Sequence, residues 1–108
     1  MEVDAGTVLC REGEIGNQFF VIVDGTVKIM RKGRRIAQRE NGEFFGEIAL
    51  LEDVPRTATV TAETPLRMFV LTSVQFKHLV AESPKVESKV LRALARRLAD
   101  LSSDPQLA

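Results

Sequence analysis

The residues whose types and spacing can do chemistry lie between Phe44 and Val60 of this 108-residue chain. Phe44-Phe45-Gly46-Glu47-Ile48-Ala49-Leu50-Leu51 is followed, after Glu52-Asp53-Val54, by Pro55-Arg56-Thr57-Ala58-Thr59-Val60. Gly46 lets the backbone come close to a ligand because no side chain stands in the way. The spacing predicts one or two helical turns over 46–50. Their first N–H groups have no partner within the helix, and with the local dipole they favour an anion. Arg56 can close such a pocket with a planar fork that meets a phosphate bidentately. Glu47 would repel a phosphate, so its use there is to accept hydrogen bonds from neutral hydroxyls such as those of a ribose. Plainer readings stand beside these. Arg56 can pair with Glu47 or Asp53 on the surface, Glu47 can serve as a first-turn carboxylate, and Thr57 and Thr59 are good strand formers.

Other chemistry is poorly supplied. The single histidine, His78, reads as an exposed helix residue, and the single cysteine, Cys10, as a small apolar strand residue. One of each supplies too few ligands for a zinc site and leaves no Ser/His/Asp or Cys/His set for covalent catalysis, so no enzyme, metal or cofactor is expected. One cysteine forms no internal disulfide. Fifteen basic residues balance fifteen acidic ones, so no net field recruits nucleic acid or an anionic membrane. The basic stretch Lys28, Arg31, Lys32, Arg34 and Arg35 lacks interleaved aromatics and reads as a solvated barrel end. No apolar run approaches the roughly 20 residues of a membrane span, and no secretory leader is evident. A reducing, cytoplasmic setting is expected.

The elements that must position these residues are short strands. The pattern predicts strands over 3–10 (interrupted at Ala5-Gly6), 19–23, 26–31, 34–39, 57–63 and 66–71. Ala58, Val60 and Ala62 share one face of the fifth. Arg11 to Asn17 form a turn in which Gly13 and Gly16 supply positive φ. Asp24-Gly25 predicts a hairpin, Lys32-Gly33 another turn, and Thr64-Pro65 a break. Strands this short, spaced by glycine and proline turns, argue for a sandwich or barrel. The period then changes. Ser73 (or Thr72) caps a helix that buries Phe76, Leu79 and Val80. Ser83-Pro84 interrupts it, and a second helix to about Leu101 carries Val86, Val90, Leu91, Leu94, Leu98 and Leu101 on one stripe. The expected architecture is one domain, 1–108: a barrel over about 3–72, helices over about 73–82 and 84–101, and a loose tail over 102–108.

Phe45-Gly46-Glu47-Ile48-Ala49-Leu50-Leu51, three residues, then Pro55-Arg56-Thr57-Ala58-Thr59-Val60 resembles the phosphate-binding cassette of cyclic-nucleotide-binding domains. The resemblance extends to Gly6, Gly13-Glu14-Ile15-Gly16 and Asp24-Gly25-Thr26-Val27, and covers roughly 3–101. It implies a mainly β fold with α, a jelly-roll barrel followed by C-terminal helices. In the family the arginine binds the exocyclic phosphate oxygens, the cassette amides bind the same group, and the glutamate binds the ribose 2′-OH. Arg56, Gly46, Ile48, Ala49 and Glu47 occupy those positions, flanked by Phe45, Thr57 and Ala58. The family's base-capping residue usually comes from the last helix, which brings forward Arg92, Leu94, Arg96 and Leu98, although arginines so placed are most often a solvated face. Threonine after the arginine admits cyclic GMP, and bacterial-type members with Ser or Thr there bind cyclic AMP, so cyclic AMP ranks first.

The resemblance implies a non-catalytic sensor that binds cyclic AMP or cyclic GMP and moves the C-terminal helices to control a linked effector. The competing reading is a barrel that has lost its ligand and serves as an interaction module, dimerising through Leu94, Leu98 and Leu101. A third is the sensory fragment of a transcription regulator, channel, kinase, cyclase or transporter.

Overall fold

The structure, a computed structural model, describes residues 1–46 and 54–102, with side chains described through residue 93. It separates into two compact units, Met1–Val74 and Gln75–Ala108.

Among the described residues the first unit holds eight strands: β1 (Glu2–Val3), β2 (Val8–Cys10), β3 (Gln18–Asp24), β4 (Val27–Arg31), β5 (Arg34–Arg39), β6 (Phe44–Phe45), β7 (Thr59–Ala62) and β8 (Leu66–Thr72). They form two four-stranded antiparallel sheets in the orders β1-β8-β3-β6 and β2-β7-β4-β5. This is jelly-roll topology, and the barrel expected from the strand pattern is present. Alternation along the strands explains the core. Phe20 and Ile22 of β3 point inward with Leu66 and Met68 of β8 and Phe45 of β6; from the other sheet come Cys10, Val27, Val60 and Ala62. Phe20, Ile22, Met68 and Val27 are fully buried, each contributing about 1.5–3 kcal/mol of apolar burial. Val60 and Ala62 line the inner face of β7 as their alternation predicts, whereas Thr57 and Ala58 precede the strand.

Among the described strands, β4 and β5 are the consecutive pair that hydrogen-bond to each other, through a turn with Lys32 at φ 51° and Gly33 at φ 77°. Two positive φ values in succession give the twist a two-residue hairpin needs. Asp24-Gly25, by contrast, does not make the expected hairpin. It carries the chain from β3 in one sheet to β4 in the other. Its donors go to side chains: Gly25 N–H to Asn41 Oδ1 at 2.7 Å and Thr26 N–H to Thr64 Oγ1 at 3.0 Å. A glycine turn marks a reversal of the chain; which strand the next segment joins is decided by the sheet. A second correction concerns the 11–17 turn. Gly13 has φ 86°, but Gly16 is not among the positive-φ residues.

Two helices follow. Helix α1 spans Ser73–Glu82, Ser83 lies between the helices, and α2 runs Pro84–Ser102. Proline stands at the first position of α2, where its missing N–H is not needed. Ser83 caps α2: its Oγ accepts from Val86 N–H at 3.3 Å and its carbonyl from Glu87 N–H at 3.0 Å. Phe76 is fully buried and Val90 nearly so, with Val86 and Ala93 half-buried at helical spacing from Val90. The predicted stripes are narrower than expected. Leu79 is 40% exposed and Leu91 58% exposed, because the arc that sequence spacing allows is wider than the arc that packing occupies. The side chains of Leu94, Leu98 and Leu101 lie outside the described residues.

Candidate functional site

The site is assembled around Arg56. Strand β6 pairs with β3, placing Phe45 opposite Phe20, and the two rings stack with centroids 4.7 Å apart. Phe45 is thereby anchored in the core, and Gly46 follows it directly at φ 94°. A Cβ on Gly46 would lie 2.9 Å from Arg56 Nη1 and 3.0 Å from the Gln18 carbonyl oxygen. The absent Cβ makes room for the Arg56 guanidinium; the expected approach of the backbone to a ligand is a separate use of the same glycine.

Arg56 is 7% exposed and is the buried charged residue among the described residues. Its Nη1 donates to the Gly46 carbonyl at 3.0 Å and its Nη2 to the Gln18 carbonyl at 2.7 Å. Its guanidinium carbon stands 6.0 Å from the centre of the Phe20 ring, within reach of a cation–π attraction. The main chain is fixed as well: Arg56 N–H donates to the Glu14 carbonyl and Gly13 N–H to the Arg56 carbonyl, both at 2.8 Å. These described contacts hold the cation through neutral dipoles. Carbonyl dipoles neutralise no charge, so a buried cation held by them through the described contacts is suited to receive an anion. The core registers this charge nearby. Burial pushes the Cys10 thiol above its ordinary value, and Arg56 offsets part of that rise.

Of the other expected site residues, Phe45 is buried beneath the turn, Thr57 is exposed and Ala58 half-buried next to Arg56. Glu47, Ile48 and Ala49 lie outside the described residues, as do the helical turns predicted over 46–50 and any pairing of Arg56 with Glu47 or Asp53. Arg92 is exposed on α2; the side chains of Leu94, Arg96 and Leu98 lie outside the described set. Thr59 accepts from Glu12 N–H at 3.1 Å, a structural use of its hydroxyl. His78 is exposed and pairs with Glu82 at 3.0 Å. In the basic hairpin Arg35 grips Glu63 with two bonds of 2.9 and 2.8 Å. That bond raises the Arg35 pKa and lowers that of Glu63. No group of three metal-ligating side chains occurs among the described residues.

Sequence reasoning missed the supports of Arg56: the Gln18 carbonyl, the Gly13 and Glu14 backbone, and the Phe20 ring. The first three act through main-chain atoms, which every residue possesses, so residue type carries no signal of them.

Comparison with known proteins gives the same direction. A family model described as "Cyclic nucleotide-binding domain" matches residues 1–83. The chain is 41% identical over 96 residues to a cyclic nucleotide-gated potassium channel of Rhizobium etli, covering 88% of this chain and 27% of the channel. It is 40% identical over 80 residues to a cAMP-dependent protein kinase regulatory subunit of Yarrowia lipolytica, covering 72% of this chain and 21% of the subunit. The chain thus spans about a quarter or less of the curated relatives it matches. Among solved structures, the Thermus thermophilus catabolite activator protein superposes with TM-score 0.87 at 26% identity over 99% of this chain and 53% of its own. The CBD2 of PKAR bound to Sp-2Cl-cAMPS gives TM-score 0.76 at 27% identity, over 94% of this chain and 70% of its own. A cGMP-bound form of the EAL enzyme Bd1971 gives TM-score 0.71 at 25% identity, over 99% and 29%.

Proposed function

The chain belongs to the cyclic nucleotide-binding domain family, and on that premise we propose that it is a non-catalytic sensor taking cyclic AMP ahead of cyclic GMP. In this reading Arg56 meets the cyclic phosphodiester, the amides of 46–49 bind the same group, and Glu47 holds the ribose. Barrel and C-terminal helices act as one domain, the helices transmit occupancy to an effector in a longer, cytoplasmic protein, and no cofactor takes part. The observation that carries the reading is the burial of the Arg56 guanidinium beside the glycine turn, with carbonyl oxygens as its described partners. The cAMP-analogue complex among the structural neighbours supports the ligand class. The channel and kinase relatives support a regulatory role. No helix among the described residues is long and apolar enough to cross a membrane.

A change of helix arrangement follows binding only if the ligand binds the two arrangements with different affinity. The decisive measurement is calorimetric titration with cyclic AMP, cyclic GMP and 5′-AMP. The expected result is binding of one cyclic nucleotide per chain with cyclic AMP tighter, and 5′-AMP much weaker. Absence of binding by either cyclic nucleotide refutes the reading and favours the ligand-free interaction module.

A further inference from the structure

We infer that Gly16 is a positioning residue for nucleotide binding: it is glycine in order to leave room for the Arg56 guanidinium. Six of the seven glycines take positive φ: Gly6, Gly13, Gly25, Gly33, Gly42 and Gly46. Each of those is explained by its own backbone, since other L-residues are strained there. Gly16 is the exception, with a φ that any residue accepts. Yet a Cβ built on it would overlap Nε and Cζ of Arg56 and stand 2.6 Å from Nη2. At Gly6, Gly13, Gly33 and Gly42 the same construction meets nothing within 4 Å. The requirement at position 16 is therefore steric and comes from one side chain in particular.

The rest of the 13–18 segment fits that role. Glu14 and Gly13 pin the Arg56 main chain from both sides, and the Gln18 carbonyl takes Nη2 at 2.7 Å. Gly16, between them, presents a bare Cα to the Nε, Cζ and Nη2 atoms of the fork. Across the guanidinium, the Gly46 carbonyl takes Nη1 at 3.0 Å. The segment is thus a seat that fixes the height and tilt of the fork before any ligand arrives. An alanine at 16 is compatible with the local backbone, so the element that must yield is the far end of the arginine, which would leave both carbonyls. Preorganisation would then be lost with the positive charge still present. The binding consequence rests on the phosphate role of Arg56; the seat itself does not.

The test uses Gly16→Ala, Arg56→Ala and the double variant. Three quantities are read: the Arg56 Nε–H signal of the ligand-free protein by NMR, the thermal midpoint, and the affinity for cyclic AMP. In Gly16→Ala the Nε–H signal should move to the position of a solvent-exposed arginine and affinity should fall about tenfold or more, as expected when a buried charged contact is displaced. In the Arg56→Ala background, adding Gly16→Ala should leave the midpoint unchanged, because the group it collides with is gone. If Gly16→Ala fails to fold while the double variant folds, the collision is confirmed. The inference is overturned if the Nε–H signal stays in place, if affinity matches the parent, if Gly16→Ala lowers the midpoint equally in both backgrounds, or if neither variant folds. Should the parent bind no cyclic nucleotide, the phosphate role fails while the NMR and unfolding arms still decide the seat.

Discussion

Replacing Arg56 by alanine tests two functions of one side chain, and their magnitudes separate them. Among the described residues of the ligand-free protein the guanidinium makes two bonds to carbonyls, at 3.0 and 2.7 Å. Hydrogen bonds to charged groups contribute about 1.5–3 kcal/mol each, but burying the cation works against them. The carbonyls released by truncation also regain water in the cleft left behind. The net loss should therefore be about 2 kcal/mol rather than the full sum, lowering the midpoint by about 8–16 °C for a domain near 100 residues. In the complex the same residue should be worth about 2–5 kcal/mol of affinity. With cyclic AMP at a hundred times the parent's Kd, ligand stabilisation of the parent is about 2.7 kcal/mol. A 2 kcal/mol loss raises Kd about thirtyfold, so the same ligand concentration stabilises the variant by only about 0.9 kcal/mol. Thermal scans with and without ligand read both numbers in one experiment. A variant that melts with the parent when ligand-free shows that the carbonyl bonds carry no stability. One that keeps the parent's full ligand shift shows that Arg56 does not hold the phosphate, and the functional argument fails at its centre.

Further outcomes follow from other positions. Phe45→Ala should lower stability by about 3–5 kcal/mol, since it deletes a ring stacked on Phe20 at the base of the site, and chemical denaturation measures it directly. If Thr57 reads the guanine amino group, Thr57→Ala should weaken cyclic GMP and spare cyclic AMP; a competition assay in which both move together removes it as a reader. Gly25→Ala should destabilise strongly even though no hairpin is at stake, because φ 113° is strained for alanine and its Cβ would lie 2.5 Å from the Pro65 carbonyl oxygen; an unchanged midpoint would contradict the crossover geometry. The raised thiol pKa of Cys10 means that the folded state keeps a proton the unfolded chain releases near its ordinary value of about 8.5. That contribution is fully present below this pH and is lost as pH rises through the folded value. Denaturation from pH 7 to 10 should show the decline in the parent and not in Cys10→Ala.

The parts of the fold legible in the sequence are those governed by period and by turn residues. Alternation along β7 named Val60 and Ala62 as inward, and Ser83-Pro84 located the break between α1 and α2, because both signals are local. Asp24-Gly25 misled for the same reason. A hairpin turn and a corner between sheets ask for the same glycine, and they differ only in the strand the next segment joins. Here the turn's donors go to side chains distant in sequence, Asn41 and Thr64, and the next segment joins the other sheet. Leu79 and Leu91 misled in a related way, since spacing marks the faces a helix could bury and packing uses fewer of them.

The site divides along the same line. Arg56 and Gly46 are visible because their chemistry lies in a side chain or in its absence. Gln18 and Glu14 are invisible because they act through carbonyl oxygens. Gly16 falls between, visible as a glycine but assigned the wrong cause. A turn glycine suggests positive φ, and the structure shows instead an ordinary backbone crowded by an arginine 40 residues later in the chain. Glycine therefore has two readings in any turn that faces a buried charge, and only the φ value separates them. Where φ is ordinary, the residue to examine is the one that would collide with its Cβ. Here that residue is the cation on which the proposed chemistry rests.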